Sequence, residues 1–300
     1  MIRLGIIDFD SSHCVEFSRR LNHVNISEDQ WVDGARVTLG WTGPSAISPE
    51  YIDSSQKELT EKIGVRLVDK PQDMIGQVDG VLIESNDGTV HLERAAPFLA
   101  AGLPVFIDKP FTCSLDHAKS LADLAIRNNA PLLTASSLRY ALEVQDVKER
   151  TNETGAVIGV HTHSPCSLHP RNPGLFHYGI HALETLYALM GPGCEAVWTV
   201  WRKEAEVVVG VWQGGRMGSI RGIRRGTWGF GFTAYCEKQV VHAVIETDYI
   251  YRELLKNIVT MFETGQSSHE ISESVEIVAF VEAAILSGSN GGVRIPLETT

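Results

Sequence analysis

The sequence predicts a two-domain α/β protein in which a domain with a parallel sheet precedes an α+β domain with a mostly antiparallel open sheet. Within residues 1–136, short apolar segments alternate with segments of helical periodicity, which is typical of right-handed βαβ units and a parallel sheet. Residues 137–300 instead contain short strand-like segments separated by glycine-containing turns, a pattern typical of an antiparallel sheet. These two observations place the domain boundary after residue 136.

The first domain has the order of elements of a Rossmann-type fold. Its apolar segments are short and rich in Val and Ile, as expected for parallel strands that are covered on both faces. Glycine follows two of the helices, where a helix end favours a residue that tolerates positive φ. The predicted strands are 2–7, 35–41, 79–84, 104–107 and 131–134, and the predicted helices are 12–23, 55–64, 88–101 and 114–128.

The second domain combines strands with three helices. Strands are predicted within 156–164 and 194–245, a helix over 177–190, and two closing helices over 247–263 and 271–287. Because ligands bind at the carboxyl ends of parallel strands in such folds, we expect a ligand cleft between the two domains. The apolar strands near residues 207–212 need covering, so we also expect a homo-oligomer, a dimer or tetramer, formed through this sheet.

Composition excludes several classes of protein. The formal net charge of −11 disfavours non-specific binding of nucleic acid. Five scattered cysteines without a Cys-x-x-Cys pair argue against a disulfide framework and against a structural zinc site. No apolar run approaches the ~20 residues that a membrane span needs. We therefore expect a soluble, cytoplasmic protein whose partner is a small molecule, without nucleic acid or membrane.

Four segments, in order along the chain, resemble motifs of the Gfo/Idh/MocA oxidoreductase family. The first is the opening strand and turn, residues 3–13, and the second is residues 78–86, followed by His91. The third, residues 105–110, contains Asp-Lys-Pro where the family has Glu-Lys-Pro. The fourth, residues 177–181, contains His-x-x-x-His where the family usually has Asp-x-x-x-His. Together they span most of the chain.

The resemblance implies hydride transfer between NAD or NADP and a hydroxyl-bearing carbon of a sugar or cyclitol. Lys109 corresponds to the lysine of the family motif, and His181, with His177 beside it, to the catalytic histidine. A histidine can accept the proton of the alcohol, and a lysine can stabilise the developing alkoxide. The alternatives are that Lys109 is a surface residue at a strand end and that His181 is a hydrogen-bonded core histidine.

The resemblance also assigns binding residues. Those expected to contact the dinucleotide are Asp10, Ser11, Ser12, His13, Trp41, Ser85, Asn86, Asp108 and Lys109. Those expected to contact the substrate are Arg139, Tyr140, His163 and His177. For Arg139 and Tyr140, packing at the start of a helix is an equal alternative.

The phosphate-binding turn departs from the family pattern. The three positions of the Gly-x-Gly-x-x-Gly fingerprint are Asp8, Asp10 and His13, so two carboxylates lie where a pyrophosphate would bind. Asp10, Ser11 and Ser12 are also residue types that cap helices and would compete for the amides of the following helix.

Two other functions therefore stay open. One is a metal-dependent lyase, epimerase or hydrolase that uses His161, His163, His177 and His181. The favoured interpretation is that these histidines bind no metal, because their spacing matches no strict metal motif and they can line a polar sugar pocket. The other is a non-catalytic ligand-binding protein on the same fold.

Overall fold

The computed structural model describes residues 1–298, which form two compact units. The first unit comprises residues 1–112, 116–135 and 251–271, and the second comprises residues 113–115, 136–250 and the chain from Ser272 onward. The predicted domain boundary after residue 136 remains a prediction. The main difference between the predicted domains and the compact units is residues 251–271, which were expected in the second domain and belong to the first unit.

The described part of the chain contains thirteen β-strands and nine α-helices, numbered in chain order. The strands are β1 (Ile2–Ile7), β2 (Ala35–Trp41), β3 (Arg66–Leu67), β4 (Gly80–Ile83), β5 (Val105–Asp108), β6 (Leu132–Ala135), β7 (Val157–Pro165), β8 (Cys194–Arg202), β9 (Ala205–Trp212), β10 (Met217–Ile223), β11 (Gly231–Cys236), β12 (Val240–Val244) and β13 (Ile295–Pro296). The helices are α1 (Ser12–Asn22), α2 (Ile52–Lys57), α3 (His91–Ala100), α4 (Leu115–Arg127), α5 (Leu142–Glu149), α6 (Thr151–Thr154), α7 (Ile180–Met190), α8 (Ile250–Thr264) and α9 (Ile271–Ser289).

The first unit contains a six-stranded parallel sheet in the order β3-β2-β1-β4-β5-β6. This is the order of a Rossmann fold, and the prediction of a parallel α/β domain is confirmed. Strands β4, β5 and β6 are buried along their whole length, as their apolar sequences predict. The short strand β3 was not predicted, because two residues carry no periodicity.

Helix α8 packs with the first unit because its apolar residues face the parallel sheet. Leu254, Leu255, Ile258 and Met261 are all fully buried. The ring of Phe262 lies so close to Gly80 of β4 that a Cβ atom there would come within 2.7 Å of it. The sequence predicts this helix correctly, but not the unit in which it packs.

The second unit contains a seven-stranded sheet in the order β12-β11-β7-β10-β9-β8-β13. Strands β7 and β10 are parallel, and the other neighbouring pairs are antiparallel. The prediction of a mostly antiparallel sheet is therefore confirmed. Helix α7 is buried at almost every residue, and the Oγ of Thr162 on β7 donates to the carbonyl of Ala182 on this helix at 3.0 Å.

A buried ion triad holds α7, α9 and the turn after β6 together within the second unit. The Nε of Arg139 donates to Glu184 on α7 at 2.7 Å, and its Nη2 lies 2.6 Å from an Oε of Glu273 on α9. All three side chains are buried. Burial would lower the pKa of Arg139, but the charges of both carboxylates raise it above its ordinary value. The sequence left two roles open for Arg139, which are contact with the substrate and packing at the start of a helix. The triad corresponds to the packing role.

Replacing Arg139 with Met should lower the free energy of unfolding by about 3–5 kcal/mol, because it leaves two buried carboxylates without their cation. Urea denaturation followed by circular dichroism measures this loss. The control is Arg150→Met, since Arg150 makes exposed ion pairs with Asp146 and Glu153, which contribute little to stability. Equal losses in the two variants would contradict a stabilising triad.

Candidate functional site

The first fingerprint position, Asp8, keeps the backbone shape of the turn between β1 and α1 while changing its charge. Its φ is 65°, a left-handed conformation that aspartate adopts more readily than most residues. One carboxylate oxygen accepts from the amide of Gly43 at 2.8 Å. The other accepts from the Nε of Arg94 at 3.0 Å and from the hydroxyl of Ser85. Asp8 is therefore a buried, paired carboxylate.

The second fingerprint position, Asp10, links the loops that follow β2 and β4. Its carboxylate accepts from the hydroxyl of Ser45 at 2.5 Å and from the amide of Asn86 at 3.1 Å. The side chain of Asn86 donates in return to the carbonyl of Asp10 at 2.9 Å. Burial raises the pKa of Asp10. The side chain thus occupies the space over the turn in which the glycine fingerprint leaves room for phosphate.

The start of α1 carries no side-chain cap. Ser11 is the N-cap residue, but its hydroxyl makes no capping hydrogen bond, and its buried Oγ has no hydrogen-bond partner. Ser12 is exposed. The expectation that these serines and Asp10 occupy the helix amides was therefore wrong, because the Asp10 carboxylate turns toward Ser45 and Asn86 instead.

The residues of this turn do not fit a pyrophosphate held in the glycine-rich mode. That mode requires backbone approach at three glycines and no negative charge beside the phosphates. Here Asp8 and Asp10 place two buried carboxylates at the turn, and His13 pairs with Asp108. Ser85 and Asn86, which were predicted to contact the dinucleotide, instead donate hydrogen bonds to Asp8 and Asp10, respectively. The guanidinium of Arg94 lies over the ring of Trp41, 5.0 Å from the ring centre.

A second cluster lies where β4 and β5 end beside the first turn of α1. The Nδ1 of His13 lies 2.7 Å from an Oδ of Asp108, and the Nζ of Lys109 lies 3.3 Å from the same oxygen. Burial would raise the pKa of Asp108, but the charges of His13 and Lys109 hold it below its ordinary value. Asp108 thus holds the side chains of both His13 and Lys109 at the edge where ligands bind in this fold.

Glu84, the residue after β4, completes this cluster and was missed from the sequence. It is fully buried, and neither carboxylate oxygen has a hydrogen-bond partner. Burial and the charge of Asp108 raise the pKa of Glu84 well above its ordinary value. An ionisable residue at the end of an all-apolar strand was the signal that could have found it.

In the second unit, His181 is oriented by a buried serine. The Oγ of Ser136 lies 2.7 Å from its Nδ1, and the rings of Tyr178 and Phe230 meet the imidazole edge-on at 4.9 and 5.7 Å. Tyr140 is buried as well. This geometry is compatible both with a positioned base and with a hydrogen-bonded core histidine.

The four histidines of the metal alternative do not form a group with ligand geometry. Within residues 1–298, the group of three such side chains that meets this criterion is His13, Glu84 and Asp108. His161 and His163 alternate with Thr162, which faces α7, so they lie on the opposite face of the sheet from His181. Burial lowers the pKa of both histidines.

His177 also lies outside the helix that was expected to carry it. Helix α7 begins at Ile180, so His177 and His181 are not one helical turn apart as predicted. The ring of His177 lies 5.4 Å from that of His169.

One known family matches a continuous part of the chain. Residues 48–136 match the Gfo/Idh/MocA family, described as an oxidoreductase family with an NAD-binding Rossmann fold. The match begins after the turn between β1 and α1, so Asp8, Asp10 and His13 lie outside it.

None of the helices within residues 1–298 combines the length and apolarity needed to cross a membrane.

Two curated relatives resemble parts of the chain. YceM of Salmonella typhimurium, provisionally named an oxidoreductase, is 26% identical over 168 residues, which are 55% of this chain and 53% of that protein. MocA of Rhizobium meliloti, named a rhizopine catabolism protein, is 32% identical over 88 residues, which are 29% of this chain and 27% of MocA. The chain therefore spans about half or less of the length of these relatives.

A solved structure shares the fold along the chain. The scyllo-inositol dehydrogenase of Lactobacillus casei, with bound NAD(H) and scyllo-inositol, matches with a TM-score of 0.79 at 13% identity over 99% of both chains. The match over residues 48–136, the two relatives and this shared fold confirm the predicted resemblance to the Gfo/Idh/MocA oxidoreductase family, in a chain whose phosphate-binding turn lacks the family's glycines.

Proposed function

We propose that this protein is an oxidoreductase that acts on a hydroxyl-bearing carbon of a small polyhydroxylated molecule, of the sugar or cyclitol class, with NAD or NADP. The family match supports the reaction class. The structural neighbour that binds scyllo-inositol and NAD(H) supports the substrate class and the cofactor. The cofactor would supply the hydride acceptor.

The observation that carries the proposal is the position of Lys109. Its ammonium lies 3.3 Å from the buried carboxylate of Asp108, at the carboxyl end of β5, and its side chain is mostly buried. The contact with Asp108 fixes the position of this ammonium. A fixed, charged donor at the ligand-binding edge can stabilise the alkoxide that forms as an alcohol loses its proton.

His181 is the proposed base. The hydrogen bond with Ser136 and the edge-on rings of Tyr178 and Phe230 fix the plane of its imidazole. Histidine is the residue type best suited to proton transfer near neutral pH. His177 is proposed to contribute to the same chemistry, and Tyr140 to substrate binding. His163 is left out, because it lies on the face of the sheet opposite His181. Arg139 is left out, since its charge is satisfied by Glu184 and Glu273.

The cellular location and the oligomeric state are also part of the proposal. We expect a cytoplasmic homo-oligomer that assembles through the seven-stranded sheet. Large apolar side chains are exposed on strands of this sheet, namely Val200, Met217, Val240 and Val244. Exposed apolar patches of this kind are typical of interaction surfaces.

Calorimetric titration with NAD⁺, NADH, NADP⁺ and NADPH tests the cofactor. We expect micromolar binding of at least one of them to the native protein. The variant Asp10→Asn should bind at least tenfold more tightly, because it removes a negative charge that would repel pyrophosphate.

Two outcomes separate the alternatives. Equal affinity of Asp10→Asn and the native protein would show that the dinucleotide avoids this turn. Absence of binding by all four nucleotides, in folded protein, would overturn the oxidoreductase proposal and favour the metal-dependent or non-catalytic alternative.

Lys109→Ala should lower kcat by about 10²–10³-fold, the range for removing one donor that stabilises a developing oxyanion. The assay is nucleotide reduction with a panel of sugars and cyclitols. The control is Lys62→Ala, which removes an exposed lysine that pairs with Glu58 on the same helix segment. Unchanged kcat in Lys109→Ala, with unchanged melting temperature, would remove this lysine from the mechanism.

A further inference from the structure

Three buried carboxylate oxygens beside α1 have no hydrogen-bond partner. They are both Oε atoms of Glu84 and Oδ1 of Asp108, and both residues are fully buried. Burying a carboxylate oxygen without a donor is costly, and nearly all such groups in folded proteins are satisfied. A bound cation is a partner that would satisfy these oxygens.

The two carboxylates that carry these oxygens group with an imidazole. One ligand atom each from His13, Glu84 and Asp108 lie within 4.8 Å of one another. The three residues come from separate segments, the first turn of α1 and the ends of β4 and β5. The second oxygen of Asp108 already binds His13 and Lys109, so Oδ1 and the Glu84 carboxylate are the oxygens left to face a ligand.

We propose that His13, Glu84 and Asp108 bind one divalent transition-metal cation of the Zn²⁺ or Mn²⁺ class. A set of one imidazole nitrogen and two carboxylates suits these ions. Mg²⁺ and Ca²⁺ favour oxygen ligands alone. Nitrogen and oxygen ligands lie about 2.0–2.2 Å from Zn²⁺, so small side-chain movements around the His13–Asp108 contact bring the set to that distance.

The charges around the cluster are consistent with a bound cation. Two carboxylates, Glu84 and Asp108, are buried with one permanent cation, Lys109, at 3.3 Å from Asp108. A divalent ion would neutralise the second carboxylate. The ring of His13 is fixed by stacking on Phe17 and by the edge of Tyr251.

The site also accounts for the substitution at the third fingerprint position. Glycine at position 13 would supply no ligand, whereas histidine supplies the imidazole of the set. The proposal concerns the first unit alone and holds whether or not a nicotinamide nucleotide binds, since its test measures metal and not turnover.

The experiment uses the full chain, stripped with a chelator and dialysed. Zn²⁺, Mn²⁺ and Mg²⁺ are added separately, with metal content measured by mass spectrometry, affinity by calorimetry and melting temperature by circular dichroism. We expect one Zn²⁺ or Mn²⁺ per chain and a rise in melting temperature, because a ligand that binds only the folded state stabilises it. Mg²⁺ should bind at least tenfold more weakly. Co²⁺ should give a visible spectrum with nitrogen and oxygen ligands.

Two variants and one control assign the ligands. Glu84→Gln and His13→Gln should each weaken metal binding at least tenfold. Glu84→Gln is nearly isosteric, so the metal-free variant should fold and melt close to the metal-free native chain. The control Glu206→Gln alters a buried carboxylate that pairs with Arg224 in the second unit and should keep full affinity.

Two results would overturn the proposal. One is a native chain that takes up no Zn²⁺ or Mn²⁺ even at millimolar concentration, which would mean that Glu84 keeps a proton instead. The other is equal metal affinity in the native chain and in Glu84→Gln, which would place the ion elsewhere.

Discussion

The contact between His13 and Asp108 connects the elements on which the first unit depends. It joins the first turn of α1 to the end of β5 at 2.7 Å, and the His13 ring also packs on Tyr251 of α8. Asp108 fixes Lys109 through the same oxygen. A hydrogen bond to a buried carboxylate is stronger than its equivalent in water, so Asp108 sets the positions of two functional side chains, His13 and Lys109, at once.

The turn above this contact shows that a fold and its usual ligand chemistry can separate. Asp8 takes the positive φ that the turn requires, so the path from β1 to α1 survives without glycine. Its carboxylate and that of Asp10 bind Gly43, Arg94, Ser45 and Asn86. Side chains thereby fill the space that glycines leave open for phosphate. Function has to be inferred from this site and not from the fold alone.

The second unit uses buried charge differently. Arg139 is enclosed by Glu184 and Glu273, and this triad holds α7, α9 and the turn after β6 together. His181 on the same helix as Glu184 has a polar partner in Ser136 and aromatic neighbours, which fix its orientation without adding a charge. One helix therefore carries both a structural carboxylate and the histidine proposed as the base.

The sequence by itself determined the order of strands and helices, the parallel and mostly antiparallel sheets, and the motif that contains Lys109. Apolar periodicity and the βαβ rule are local in sequence, so they could be recognised without coordinates. Only the tertiary structure decided that α8 packs on the first unit and that Glu84 lacks a partner. It also placed His161 and His163 on the sheet face opposite α7. These outcomes depend on which residues meet across distant segments, and pairing at such separations is set by packing and sheet register, which no local pattern specifies.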